Sequence, residues 1–394
     1  PVVVAGKDKP YKVYRGGRAK GPIRPERDPS DGRRDAKSRD GAQKVAKPGR
    51  RRRIVRGIVL FLTFVLLAAL VWGLLGYLAV RSGVKEANDR LPEGTENALT
   101  PPNGSMLTTP RSILVLGLDS GGTREDRQGT GRSDSMMVIR TDPDEHRIAY
   151  LSIPRDLRVE IPNRGADKVN AAYAFGGPAL AVDTVEAFTG LEINHVIVVD
   201  FGTFREVIDA VGGITINNPT RVRTNPFECP FKTPEECAER FDGWQFRKGE
   251  IHLDGFRALI YARTRVNQLD PGESDITRGE RQQRVIQGLM SKITGFEGYL
   301  RMPLVGDDIV KPLATDLSTN ELLQFAWVRR RAAADKTLRC RLGGTPATID
   351  GSSVIQSSED NALVIAMITG ETAPQRPPAG RPFEPGCFVG PAGG

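Results

Sequence analysis

Hydrophobic positions follow three rhythms along this chain. Residues 57–80, GIVLFLTFVLLAALVWGLLGYLAV, form one apolar run without a charge. At roughly 1.5 Å per residue, a helix of that length crosses the hydrocarbon core of a bilayer with some tilt. A second rhythm starts at Ser112. The runs SILVLGLDS, SMMVIR (135–140), RIAYLSI (147–153) and NHVIVVD (194–200) are short, apolar and rich in β-branched residues, the signature of buried strands. LRVEI (157–161), GITIN (213–217) and GEIHL (249–253) read as shorter strands, and residues 339–342 and the neighbourhood of Val354 and Ile355 as final edge strands. The third rhythm is helical. It covers a segment beginning near Asn170 and Tyr173, then PALAVDTVEAFT closed by Gly190, FGTFREVIDAV closed by Gly212 and Gly213, a short helix leading to Tyr261, a helix from Arg284 to about Ile293, and helices over 320–331 and 361–368. Strands alternating with helices predict an α/β protein, a three-layer α/β/α domain with a mixed central sheet, preceded by a single transmembrane helix.

Composition divides the 394 residues further. Residues 1–53 are rich in Gly, Pro, Lys, Arg and Asp without apolar periodicity, and read as a disordered basic tail. Residues 54–80 are the transmembrane helix. Residues 81–110 carry Pro92, Pro101, Pro102, Asn103 and Gly104, which predicts a stalk with a short helix near its start. The folded domain occupies 111–370, and Pro and Gly dominate 371–394. The apolar run exceeds the roughly 7–15 residues of a signal-peptide core, which favours a retained anchor. Arg50 to Arg53 and Arg56 precede it directly, so the positive-inside rule places the N-terminus in the cytoplasm and the domain outside.

Charge changes the picture only locally. Residues 1–53 hold 18 Lys/Arg against 6 Asp/Glu and Arg56 adds a cation, so although the chain is +8 overall, everything beyond the apolar run is −5. A mildly acidic domain counts against nucleic acid as its partner. The even set Cys229, Cys237, Cys340 and Cys387 suits an oxidising compartment, with Cys229–Cys237 closing a short loop and Cys340–Cys387 tying down the C-terminus as the expected pairing.

Against that background, YARTRVNQLDPGESDITRGERQQR (261–284) is unusual. Arg263 and Arg265 alternate as on a strand, while Arg278, Arg281, Gln282 and Arg284 follow at helical spacings. Two such elements can converge on one anion, because guanidinium forks match phosphate oxygens. A solvated face laced with ion pairs to Glu280 and Asp275 is the competing account. Asp119, at the end of the first strand, and Asp134 flank a Gly-rich loop where open α/β sheets place ligands. Paired carboxylates beside arginines can hold a magnesium ion whose other positions are water and phosphate oxygens, or can simply cap the loop. The loop lacks a Walker sequence, no G-x-S-x-G elbow is present, and His146, His195 and His252 form no ligand-like pair, with His195 expected in the core. Val182, Val185, Phe188, Phe201, Phe204, Val207 and Ile208 fall at helical spacings, and are either core or lining for a lipid.

Taken in order, ILVLGLDS, GRSDSMMVI, SIPRDLRV with IPNRGADKVNAAYAFGG, VDFGTFREVIDAVGGI and LDGFRALIYARTR with DITRGERQQRVI resemble the LytR-CpsA-Psr family of cell-wall phosphotransferases over about residues 111–300. The resemblance implies a Mg2+-dependent enzyme that moves a glycopolymer from a polyprenyl pyrophosphate carrier onto peptidoglycan through a phosphodiester. It assigns Asp119 and Asp134 to the metal and Arg132, Arg155, Arg263, Arg265 and Arg278 to the pyrophosphate. Lys168, Gln282 and Arg281 become further head-group residues, and Asp156 orients Arg155, accepts a proton or forms a salt bridge. The insertion holding Cys229 and Cys237 and the loop 270–275 depart from the family pattern. Composition hints at an actinobacterial source, where the polymer would be arabinogalactan rather than teichoic acid or capsule. Two alternatives remain: a membrane-tethered regulator or lipid-binding module that holds the polyprenyl pyrophosphate without turnover, and a lipid pyrophosphatase that uses the same site with water in place of the sugar hydroxyl.

Overall fold

A computed structural model of the chain describes residues 50–118, 133–270, 275–378 and 383–390. The molecule divides into two compact units, Pro1–Leu60 and Phe61–Gly394, and the contacts below lie within the second. Its elements run α1 (Arg50–Asp89), β1 (Arg111–Leu118), β2 (Ser133–Asp142), β3 (Arg147–Ile153), β4 (Leu157–Ile161), β5 (Gly165–Lys168), α2 (Val169–Thr189), β6 (His195–Asp200), α3 (Phe201–Ala210) and β7 (Ile214–Asn218). The chain continues with β8 (Val222–Arg223), α4 (Pro234–Arg240), β9 (Gln245–Phe246), β10 (Gly249–Leu253), α5 (Gly255–Arg263), α6 (Asp275–Thr294) and α7 (Phe296–Val310). It closes with β11 (Ala314–Thr315), α8 (Thr319–Arg331), β12 (Thr337–Arg341), β13 (Gly344–Ile349), β14 (Ser352–Ser357), α9 (Asn361–Thr369) and β15 (Gly386–Val389).

Seven strands form the central sheet in the order β11-β6-β1-β2-β3-β12-β15. The sheet is mixed: β1 runs parallel to β6 and antiparallel to β2, while β3 runs parallel to β12. Period-two alternation decides which face each side chain joins. Leu114, Leu116, Met136, Val138, Ala149 and Leu151 turn to one face, where α2 and α9 contribute Tyr173, Val182, Val185 and Met367. Ile113, Met137, Ile139, Ile148 and Tyr150 turn to the other, beneath Phe325 of α8 and Ile286 and Met290 of α6. A further apolar cluster joins α3, α5, α6 and α7 to Val80, Val84 and Ala87 of α1. The three-layer arrangement is the expected one.

Local chemistry explains the helix starts. Asp200 caps α3 by accepting from the Thr203 N–H at 2.9 Å, Asp254 caps α5 through Arg257 N–H at 2.7 Å, and Ser318 with Glu321 forms a capping box on α8. Helix α2 kinks at Gly176 and Gly177, just before Pro178.

Several expectations need amendment. Residues 81–89 continue α1 without a break, so the first part of the expected stalk is the end of the long helix and is buried through Val84 and Ala87. Residues 339–342 do not form an edge: β12 lies between β3 and β15. Likewise β14 is interior to a small sheet, β13-β14-β4-β5. His195 is buried as expected but is paired rather than merely packed, its Nδ1 lying 2.6 Å from Asp316 Oδ2. Both disulfides pair as expected, Cys229–Cys237 and Cys340–Cys387, the second across directly opposed positions of β12 and β15.

Candidate functional site

The start of β2 brings Asp134 and Ser135 to the rim of a deep cavity. Gly117 on β1 lies opposite Ser135, where a Cβ would stand 2.9 Å from the serine Cβ, so only glycine lets the two strands approach this closely. Asp134 then gathers three guanidinium groups from three elements. Arg155, on the turn after β3, places Nη1 2.7 Å from Asp134 Oδ1; Arg265 places Nη2 3.3 Å from Oδ2; and Arg278 of α6 donates from Nη2 to the Asp134 main-chain oxygen at 3.1 Å. The Ser135 hydroxyl donates to Gln282 Oε1 at 2.8 Å. Arg278 and Gln282 are four residues apart on α6 and so present to one side.

Arg263 and Arg265 do not alternate along a strand. Arg263 is the last residue of α5, and Arg265 lies in the loop that follows. Two arginines separated by one residue define no period by themselves, and the apolar stretch GFRALIYAR continues its helix through Arg263. The Arg263 guanidinium packs over Phe201, 4.3 Å from the ring centroid, and over Phe227 at 5.5 Å, while Nη1 donates to Glu228 Oε1 at 2.6 Å. Between these arginines, the Thr264 carbonyl accepts from Arg281 Nη1 at 2.9 Å. Arg281 is only 2% exposed and faces inward over Tyr261 rather than into the cavity. Burial pulls its guanidinium down from the ordinary arginine range to about 10, so it remains a cation at neutral pH.

Asp156 is held between Arg155 Nε at 3.4 Å and Lys168 Nζ at 3.0 Å, the geometry of a residue that fixes Arg155. Lys168, at the end of β5, reaches the site through that carboxylate among the described residues. Asp119 and Arg132 lie outside the described residues. Among the described residues no cluster of three or more His, Cys, Asp or Glu side chains is poised for a metal.

Sequence reading missed Arg341. It lines a small polar recess beside the rim, together with Arg155 and Arg278, and its Nη1 lies 3.3 Å from Glu280 Oε1. Cross-strand position in β12, invisible from local pattern, is what brings it here. Ser135 was present in the GRSDS motif but carried no separate signal.

Below this polar rim the cavity is apolar. It encloses about 550 Å3 and is lined by Ile139, Ile197, Phe201, Val285, Leu289 and Met302 among others, with Asp134, Ser135, Arg263, Arg265, Arg278 and Gln282 at the mouth. Of the helical stripe residues, Phe201, Phe204 and Val207 line it, whereas Val182 and Val185 belong to the core on the opposite face of the sheet and Phe188 packs against that core. Ile208 is core without lining the cavity. A cationic mouth over an apolar chamber suits an amphiphile with an anionic head and a hydrocarbon tail.

The sequence model of the LytR_cpsA_psr family matches residues 77–369. This chain belongs to the LytR-CpsA-Psr family. Among its relatives is a polyisoprenyl-teichoic acid–peptidoglycan teichoic acid transferase TagU of Enterococcus faecalis, 35% identical over 245 residues that make up 62% of this chain and 73% of the relative. A protein of the same name from Bacillus anthracis is 35% identical over 250 residues, 63% of this chain and 74% of that one. The crystal structure of B. subtilis TagV superposes with a TM-score of 0.55 at 26% identity, covering 67% of this chain and 97% of TagV. In this LytR-CpsA-Psr member the matched region begins within α1, at residue 77, and takes in every described residue of the cavity mouth.

Proposed function

We propose that this protein is a phosphotransferase that attaches a glycopolymer to peptidoglycan from a polyprenyl pyrophosphate carrier. The observation that carries the reading is the cavity: an apolar chamber whose rim carries Asp134 together with Arg263, Arg265 and Arg278. The tail would occupy the chamber and the pyrophosphate the rim. An acceptor hydroxyl on the glycan attacks the phosphorus that bears the polymer, the bridging P–O bond breaks, and polyprenyl monophosphate leaves; the hydroxyl proton passes to a base or to water. Charge developing on the transferring phosphoryl oxygens is met by fixed guanidinium groups, which is how positioning and electrostatics accelerate such transfers. Arg155 is set by Asp156, and Arg263 by its aromatic and Glu228 contacts. Names borne by the relatives favour teichoic acid as the polymer class, and arabinogalactan is the other polymer this reading admits.

Mg2+ belongs to the proposal. Asp134 is a hard oxygen donor at the mouth beside the Ser135 hydroxyl, which suits one or two positions of a magnesium shell completed by water and phosphate oxygens, and the family resemblance assigns Asp119 to the same ion. When bound, the ion would neutralise pyrophosphate charge. The arginines now paired with Asp134 are the groups that would turn to the phosphates. Hydrolysis by water at the same centre is the expected side reaction. The long apolar helix α1 marks a single-pass membrane protein, and the arginines before it orient the domain outside the cytoplasm.

The full chain in detergent or nanodiscs, given a polyprenyl pyrophosphate glycan and a peptidoglycan fragment, tests this. We expect magnesium-dependent release of polyprenyl phosphate that falls at least roughly a hundredfold in Arg265→Ala and Asp134→Asn. Lipid binding without turnover, equal in all three proteins, would replace the transferase with a carrier-binding module.

A further inference from the structure

Helix α7 combines an apolar face left open among the described residues with a position fixed against the membrane helix. Phe296, Leu300 and Leu304 recur every four residues, a stripe along one side of the helix, and Phe296 and Leu304 are 75% and 71% exposed. Exposed aromatic and leucine side chains in such a row mark a surface meant for another apolar phase. The neighbouring side of α7 rests on α1. The Tyr299 hydroxyl donates to the Ala69 carbonyl at 3.2 Å, a Cβ on Gly76 would sit 3.4 Å from Met302 side-chain atoms, and Gly306 approaches Val80. Ala69 lies near the middle of the apolar run 57–80, roughly 16 Å along the helix from Val80. Any bilayer that accommodates this run therefore also reaches the level of Tyr299 and the exposed stripe.

We propose that the α6–α7 corner is seated in the lipid leaflet on the side of the folded domain, with anionic phospholipid headgroups over its basic flank. That flank is supplied by the end of α8, where Arg329 Nη2 lies 3.4 Å from Ser291 Oγ and Arg330 Nη1 lies 3.4 Å from the Thr294 carbonyl, both on the last turns of α6. An apolar stripe bordered by arginines is the signature of a helix lying in a membrane interface. The charged residues at the corner do not enter lipid alone: Lys292 Nζ is 2.7 Å from Glu297 Oε2, and Arg301 Nη1 donates to the Val211 carbonyl at 2.9 Å. Their long stems let the charges reach the headgroup level.

Leu289, Met290, Ile293 and Met302 of the same corner line the cavity. Seating would thus put the far end of the chamber beside lipid, so that a carrier could slide its tail sideways into the protein while the rest of the chain stays in the bilayer. That consequence rests on the proposed function; the seating itself does not.

Tryptophan fluorescence tests the seating. The full chain with Trp72→Phe, Trp244→Phe and Trp327→Phe, carrying either Leu304→Trp or, as a control on the remote helix α2, Phe175→Trp, is placed in nanodiscs of phosphatidylcholine and phosphatidylglycerol with brominated acyl chains. Both sites are exposed, so neither change strains the fold. We expect bromine to quench Leu304→Trp roughly twofold or more beyond the control, and aqueous iodide to quench Phe175→Trp preferentially. Equal bromine quenching at both sites, with Leu304→Trp open to iodide, would mean a solvent-exposed helix and overturn the proposal. Protection of Leu304→Trp from both quenchers would mean that another protein surface covers the stripe, a second copy included, and would overturn it as well. None of these readouts depends on catalytic activity.

Discussion

Arg281 shows how a cation can serve a binding site without touching its ligand. Its guanidinium is buried over Tyr261 and holds the carbonyl of Thr264, the residue between Arg263 and Arg265. Replacing it with methionine removes a costly buried charge and also leaves that carbonyl without its donor, terms of opposite sign and similar size of about 1–3 kcal/mol each. We therefore expect Arg281→Met to change stability little, yet to weaken carrier binding about tenfold as Arg263 and Arg265 lose their setting, seen as a raised KM with kcat nearly kept. The pH dependence is specific. Below about 10, Arg281 is protonated both folded and unfolded, so the stability difference between wild type and variant should be flat. Above that value the folded protein releases the proton first while the unfolded chain retains it, and stability rises with pH wherever the unfolded state binds more protons. The difference should then drift in favour of the wild type, as urea unfolding at pH 8, 9 and 10.5 would reveal. At this scale the sequence was informative about residue type and poor about direction. Helical spacing placed Arg278, Arg281 and Gln282 on one helix, and only the packing of α6 on α5 shows that Arg278 and Gln282 face the cavity while Arg281 faces inward.

At the scale of elements, what could be read depended on how much of the fold each element expressed locally. Strands β1, β2, β3 and β6 bury both faces and so appear as continuous apolar runs. Helix α7, by contrast, did not declare itself, because Gly298, Pro303 and Gly306 interrupt FEGYLRMPLVGDDIV. Gly306 serves contact with α1 and Gly298 close approach to the Lys292 and Ile293 carbonyls of α6, not helix propensity. Strands β13 and β15 were missed for another reason: they are polar or short, and exist because β14 and β12 pair with them. Close backbone approach makes the α1–α7 contact testable. A Cβ at Gly83 would lie 2.8 Å from the Asp307 carbonyl oxygen and 2.9 Å from its Cα, backbone atoms that cannot rotate away. Gly83→Val should cost about 2 kcal/mol or more and lower the thermal midpoint in detergent. Gly57→Ala, with nothing within 4 Å, should leave it unchanged.

Across the whole molecule, two cross-links close loops of very different length. Cys229–Cys237 spans 8 residues within the insertion, whereas Cys340–Cys387 spans 47 and joins the last strand to the sheet. Chain-entropy reasoning gives the longer loop about 4 kcal/mol of stabilisation and the shorter one less. Cys340→Ser with Cys387→Ser should therefore lower the thermal midpoint clearly more than Cys229→Ser with Cys237→Ser, a comparison open to calorimetry. The pairings were legible because four cysteines on a chain with a membrane anchor admit few arrangements.

One long-range property follows from the unbroken α1. Val80, Val84 and Ala87 of α1 share one apolar cluster with α7, so the last turns of the helix and the domain behave as one packed piece. On the proposed function, the cationic mouth shares that rigidity with the last turns of the helix, like a gauge fixed to its own frame. Under that proposal, the place at which an acceptor strand receives new polymer would be set by the protein's own framework.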